Sequence, residues 1–264
     1  MKSMVQRILR KLGLTITRIQ TSQYGYLLEV PRFKEVVVDL LGHDFKIADS
    51  SSFYYSFQEI FLRKIYRFES LKERPVILDC GSNYGTSIVY FKSLYPKARI
   101  IGVEADPKIF ELLEGNIRCR EYQDVALINK AVSGNRASIK FYRQGADGGR
   151  IFPLEKSKET VEVEPIHLDD LISEPTDFLK MDIEGAETNV ICSCEKLKDV
   201  SQIFVEYHSF KDSEQTLSAI LEKFTSNGFR YYIHTQFCSP RPLTEERLQL
   251  GMDLQLNIFA KRIA

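Results

Sequence analysis

Four short runs of this sequence carry side chains whose types and spacing could do chemistry. The first is Asp79-Cys80-Gly81-Ser82-Asn83-Tyr84-Gly85, which follows an apolar stretch. Its glycines permit a tight turn and let a ligand approach the backbone closely. They do not follow the G-x-G-x-x-G spacing of dinucleotide binders, and alone they fit a structural bend as well as a site. The second is Glu104, at the end of another apolar stretch. A carboxylate there can accept hydrogen bonds from both hydroxyls of a ribose. Glu104 and Asp106 are each ordinary as loop acids, but an acid placed one strand after a glycine turn points to a nucleoside-type ligand.

The third run is Lys180-Met181-Asp182-Ile183-Glu184-Gly185-Ala186-Glu187. A lysine and an aspartate in or beside an apolar strand are costly to bury without partners or a polar cleft. Strand parity puts Lys180 and Asp182 on one side, and Asp182 reads as a site residue. Glu187 reads as a helix-start acid favoured by the helix dipole. The fourth run is Glu206-Tyr207-His208, in which Glu206 and His208 share a face by the period of two. An acid and an imidazole at adjacent strand ends can orient a hydroxyl and take its proton. His43, His167 and His234 have no comparable setting.

The elements that must position these groups follow a regular pattern. Strands are expected at 76–80, 99–104, 125–129, 178–182 and 203–206, and helices at 86–95, at 107–118, from 186 and over 213–225. Two further strands, at 229–234 and 254–260, are joined by a long loop without a helix, which makes the last one antiparallel. Strands alternating with helices predict an α/β fold with a mostly parallel sheet and helices on both faces. Open sheets of this kind bind ligands beyond the carboxyl ends of their strands, where all four runs fall.

Upstream, residues 24–48 read as short strands and 53–70 as an aromatic-rich helix. Residues 1–20 hold Lys2, Arg7, Arg10, Lys11 and Arg18 without an acid, beside Val5, Ile8, Leu9 and Leu12 at helical spacing. That pattern suits a helix packed on the domain, with weak contact to a membrane surface as the alternative. Gly145 to Arg150, with three glycines in five residues, is expected to be a mobile lid over the ligand site.

Bulk composition excludes some classes of function. The 36 basic residues balance 36 acidic ones, so no global field favours nucleic acid. Five cysteines without a CxxC pair suit a reducing compartment better than a disulfide framework. With no apolar run of about 18 residues, no membrane span is expected, and the cytoplasm is the default location.

Several of these pieces occur together and in order. Asp79-x-Gly81-x-Asn83-x-Gly85, Glu104-Ala105-Asp106-Pro107, Asn116 and Ala131-Val132 are followed by Leu168-Asp169-Asp170-Leu171, the Lys180–Glu187 block and Val205-Glu206-Tyr207-His208. In this respect the chain resembles the FkbM family of S-adenosylmethionine-dependent methyltransferases over roughly residues 76–208. It departs at Ala105, where the family commonly has proline, and matches least over 142–161 and after His208.

The resemblance implies a Rossmann-like class I methyltransferase fold with a seven-stranded sheet. Residues 71–264 would form the methyltransferase domain and 1–70 an extension packed on it. It also implies S-adenosylmethionine as cofactor. Asp79 and the turn of Gly81, Asn83 and Gly85 would hold its methionine part, Glu104 the ribose, and the segment around Ala131 the adenine. Asp182, Glu206 and His208 would face a hydroxyl-bearing small molecule or glycan, with a neutral His208 as base. No metal is assigned, although Asp182, Glu206 and His208 offer hard ligands for a divalent ion without a diagnostic pattern. The alternatives are a sensor or scaffold that binds S-adenosylmethionine without turnover, and methylation of nitrogen. Nucleic acid is the weaker acceptor, because Asp182-Ile183-Glu184-Gly185 stands where adenine-amino methyltransferases carry a D/N-P-P-Y/F motif.

Overall fold

The structure is a computed structural model that describes residues 23–136, 139–143 and 159–262. The basic stretch at 1–20 and the expected lid at 145–150 lie outside the described residues. The chain divides into two compact units, one ending at Arg67 and one beginning at Phe68.

In the first unit, β1 (Val36–Leu40) and β2 (His43–Ile47) form an antiparallel hairpin. Leu41 and Gly42 turn the corner, both at positive φ, as a two-residue hairpin loop requires. Asp49 then caps helix α1 (Ser50–Phe57) by accepting from the Ser52 amide. The expected helix over 53–70 is shorter at its far end and starts earlier. A π-helical stretch, Gln58–Arg63, continues α1, and Lys64 at φ 59 stops it in the left-handed region.

The second unit is built on a seven-stranded sheet. Its strands are β3 (Val76–Cys80), β4 (Arg99–Glu104), β5 (Val125–Asn129), β10 (Thr176–Met181), β11 (Val200–Phe210), β12 (Phe229–Cys238) and β13 (Met252–Arg262). The spatial order is β12-β13-β11-β10-β3-β4-β5. Pairings from β11 through β5 are parallel, whereas β13 runs antiparallel to both of its neighbours. The expected mostly parallel sheet is therefore present, with the last strand inserted antiparallel between β11 and β12. Helices α2 (Thr86–Leu94), α3 (Pro107–Arg118), α5 (Glu187–Ser193) and α6 (Leu217–Ser226) join the strands. Between β5 and β10 lie two small ladders, β6 (Ala131–Ser133) with β9 (Pro165–His167) and β7 (Ile139–Arg143) with β8 (Glu159–Val163), then the short helix α4 (Leu168–Leu171).

The local sequence explains the central strands. β3 and β10 are buried along their whole length, as parallel strands covered on both faces must be. Leu78, Leu179, Met181, Val205, Ile258 and the α5 residues Val190 and Ile191 form one apolar cluster around them. Strand β11 extends beyond the expected 203–206 because β13 pairs with it from Gln202 to Phe210. His208 thus lies inside a strand and does not follow it. Helix α6 starts later than expected, after the Thr216 amide donates to the Tyr207 hydroxyl. Among the described residues no helix is long and apolar enough to cross a membrane.

Candidate active site

The turn after β3 brings two strands' ends into contact. Gly81 sits at φ +82, and a Cβ there would lie 1.8 Å from the Asp182 carbonyl oxygen. Glycine is required on both counts, backbone conformation and space. The Asp182 amide donates to the Cys80 carbonyl at 3.1 Å, which closes the gap between the ends of β3 and β10. Gly85, at φ +99, fits against Leu113 and Ile117 of α3 and leads into α2.

The N–H groups of this turn already have acceptors. Gly81 and Ser82 donate to the Val103 carbonyl, Asn83 to the Glu104 carboxylate, Tyr84 to the Asn83 side chain and Gly85 to the Ser82 carbonyl. These N–H groups fix the turn's shape, and the Cys80, Gly81 and Ser82 carbonyls are likewise engaged, by Asp182, Lys180 and Gly85. Asn116 supports the same shape, donating to the Tyr84 carbonyl at 2.9 Å.

Glu104 ends β4 with its carboxylate held by two backbone amides, Asn83 at 2.9 Å and Asp106 at 2.8 Å. Burial pushes its pKa up to about 7, against the lowering effect of those two hydrogen bonds. Ala131 lies apart from the sheet, buried in the β6–β9 ladder, where Ala105 packs against it and Val163. The Glu104-Ala105 corner and the Ala131 segment are therefore neighbours.

Asp79 is fully buried beneath the turn. Its carboxylate accepts from the Ser87 hydroxyl and lies 3.5 Å from the Lys180 ammonium. Lys180, itself 2% exposed, also reaches the Gly81 carbonyl at 2.5 Å and Asp182 at 3.4 Å. Burial opposes the charge on Lys180, but Asp182, Asp79 and Glu206 outweigh it and hold the ammonium well above its ordinary pKa. One buried cation thus ties together the ends of β3 and β10.

On the other side of Asp182, the buried His208 imidazole is gripped by Glu187, with Nδ1 3.0 Å from the carboxylate. Glu184 lies 3.7 Å from Nε2. Glu206 instead takes a hydrogen bond from Gln255 of β13, whose amide nitrogen also lies 3.4 Å from His208 Nε2. Burial alone would lower the His208 pKa, yet Glu187, Glu184 and Glu206 raise it well above 6.5. Those three acids thus favour the charged imidazole over the neutral one. Glu187 does more than greet a helix dipole, since it also accepts from the amides of Ile183 and Gly185.

A family model described as the methyltransferase FkbM domain matches residues 79–231, more than half of the chain. The chain belongs to the FkbM family of S-adenosylmethionine-dependent methyltransferases. It is 30% identical over 183 residues to the 2-O-methyltransferase NoeI of Sinorhizobium fredii, covering 59% of this chain and 73% of that protein. It is 26% identical over 171 residues to the methyltransferase sdnD of Sordaria araneosa, covering 51% of this chain and 66% of that one. Among solved structures, an FkbM methyltransferase from Methylobacillus flagellatus aligns with a TM-score of 0.48 at 17% identity, over 78% of this chain and 49% of that chain.

Within this FkbM-family chain, part of the shared pattern is structural. Asp169 accepts from the amides of Glu195 and Lys196 and from the Cys194 thiol, and so shapes the entry to β11. Sequence reasoning passed over Glu184, Gln255 and the full part of Glu187. The two glutamates carried a signal, since both lie in the Lys180–Glu187 block. Gln255 carried none: it meets His208 only because β13 pairs with β11 in one particular register, Gln255 opposite His208.

Proposed function

We propose that this chain transfers the methyl group of S-adenosylmethionine to a hydroxyl oxygen of a small molecule or glycan. The observation that carries the reading is the lining of one sheet edge. Glu104 and the glycine turn lie at the ends of β4 and β3, and Asp182, Glu206 and His208 at or near the ends of β10 and β11. The carboxyl edge of an open α/β sheet is the expected ligand crevice. The residues fit the cofactor at Glu104, whose carboxylate at the end of β4 offers an acceptor to a ribose.

When bound, S-adenosylmethionine supplies a methyl group on a good leaving group. The protein must then align an acceptor oxygen and remove its proton. Glu104 takes the ribose hydroxyls, the Asp79-supported turn holds the methionine part, and the Ala131 segment flanks the adenine. His208 orients the acceptor, with Glu206 beside it, and Asp182 takes up the proton. Residues 71–264 carry this activity and 1–70 form an extension. An oxygen acceptor is favoured over nitrogen by the name of the relative NoeI, a 2-O-methyltransferase.

The test uses methyl-labelled cofactor with a panel of polyols, glycans and their amino analogues. Labelled methyl ethers, formed about 10²–10⁴ times more slowly by Asp182→Asn, support the reading. Labelled methylamines alone would move the acceptor to nitrogen. Cofactor binding without turnover on any acceptor would leave a sensor.

A further inference from the structure

The cluster beside the turn after β10 has a composition and geometry that methyl transfer does not require. Asp182, Glu184 and His208 each offer one ligand atom, and the three atoms lie within 4.8 Å of one another. Ligands around one ion at about 2.1 Å are separated by up to about 4.2 Å when opposite, so only a small contraction is needed. The two acids and the imidazole come from different elements, the 182–184 turn and β11, and both are anchored from behind. Glu187 holds Nδ1 of the imidazole at 3.0 Å and, through the amides of Ile183 and Gly185, the turn that carries both acids. A carboxylate on the rear nitrogen of a histidine is the arrangement that orients metal-ligating imidazoles, leaving Nε2 for the ion.

An independent feature points the same way. Gln255 is 9% exposed, and its amide nitrogen lies 3.4 Å from His208 Nε2. The oxygen of that same amide is buried without a hydrogen-bond partner. A buried acceptor left unmatched on a side chain that touches His208 is costly unless something positive or hydrogen-bonding completes its surroundings.

We propose that Asp182, Glu184 and His208 bind one divalent cation of the Mn²⁺ or Mg²⁺ class and that its open positions take the acceptor's hydroxyl oxygens. Two carboxylates and one imidazole are the ligands such an ion accepts, and three protein ligands leave room for the oxygens of a diol. Lys180 meets Asp182 at Oδ2, and a carboxylate has a second oxygen to offer. Binding the ion depends only on these residues, whereas its part in presenting the acceptor rests on the methyl-transfer reading. A bound hydroxyl would lose its proton more readily to solvent, which a divalent charge favours.

The experiment is Mn²⁺ titration of the chelator-stripped full chain, followed by electron paramagnetic resonance without any acceptor. One bound Mn²⁺ per chain is expected, with spin-echo modulation from one directly bound imidazole nitrogen. Glu184→Gln, at a partly exposed position, should weaken binding at least tenfold. Glu187→Gln should weaken it about 10–100-fold through the freed imidazole. Glu104→Ala should bind Mn²⁺ like the parent. A parent spectrum of free aqueous Mn²⁺ at millimolar protein, absent nitrogen modulation, or full affinity in Glu184→Gln would each overturn the site. A parent that binds Mn²⁺ but not S-adenosylmethionine would instead sink the methyl-transfer reading alone.

Discussion

Nδ1 of His208 lies 3.0 Å from the carboxylate of Glu187, and both side chains are almost wholly withdrawn from solvent. The same carboxylate oxygen accepts from the amides of Ile183 and Gly185. One acid thus couples strand β11 to the turn after β10 and sets the orientation of the groups that face the sheet's edge. A buried charge pair of this kind adds little to stability over an apolar pair of the same shape, but breaking it is expensive.

Glu187→Ala should therefore cost about 3–5 kcal/mol, because it leaves a buried imidazole and two amides without their acceptor. Urea denaturation of parent and variant measures it. A change below about 0.5 kcal/mol would place this pair among contacts of no structural consequence.

Two glycines separate steric from conformational effects. Gly81→Ala should destabilise by about 2–4 kcal/mol, since it adds a Cβ 1.8 Å from the Asp182 carbonyl at a left-handed position. Gly115→Ala, inside α3 with nothing within 4 Å of the added Cβ, should stabilise by about 0.5–1 kcal/mol. Thermal melts of both variants check the pair. A neutral Gly81→Ala would mean that the turn does not pack against Asp182 as described.

The sheet was legible from the sequence because each parallel strand is a short apolar run bounded by a turn, and each helix has a marked start, such as Pro107 after Asp106. The site was partly legible. Glu104, Asp182 and His208 stand out as polar groups at strand ends. Burial was not legible: Asp79 reads as a ligand contact yet lies under the turn, where it meets Ser87 and Lys180. Nor was cross-strand partnering. Whether His208 meets Glu206 or Glu187 depends on how the turn after β10 folds back, and the role of Gln255 on a register that pairs it with His208, 47 positions away.

Glu104 gives the molecule a pH dependence of defined sign. Its pKa is raised from 4.5 to about 7 in the folded chain, which therefore holds this proton more tightly than the unfolded chain does. Its contribution to stability is favourable at acid pH and is lost as pH rises from 4.5 to about 7. Glu104→Gln should accordingly melt higher than the parent at pH 8, with the difference shrinking towards pH 5. A constant difference across that window would mean that the carboxylate is not desolvated.

The most direct measurement for the whole account is titration calorimetry with S-adenosylmethionine at pH 8, on the parent, Glu104→Ala and Asp182→Asn. Hydrogen bonds to a charged acceptor are worth roughly 1.5–3 kcal/mol each, so losing the ribose contact should weaken binding at least tenfold. The account predicts one bound cofactor per parent chain, that loss in Glu104→Ala, and near-parent affinity in Asp182→Asn. Unchanged affinity in Glu104→Ala, or a collapse of binding in Asp182→Asn, would contradict the division of this edge into a cofactor half and an acceptor half.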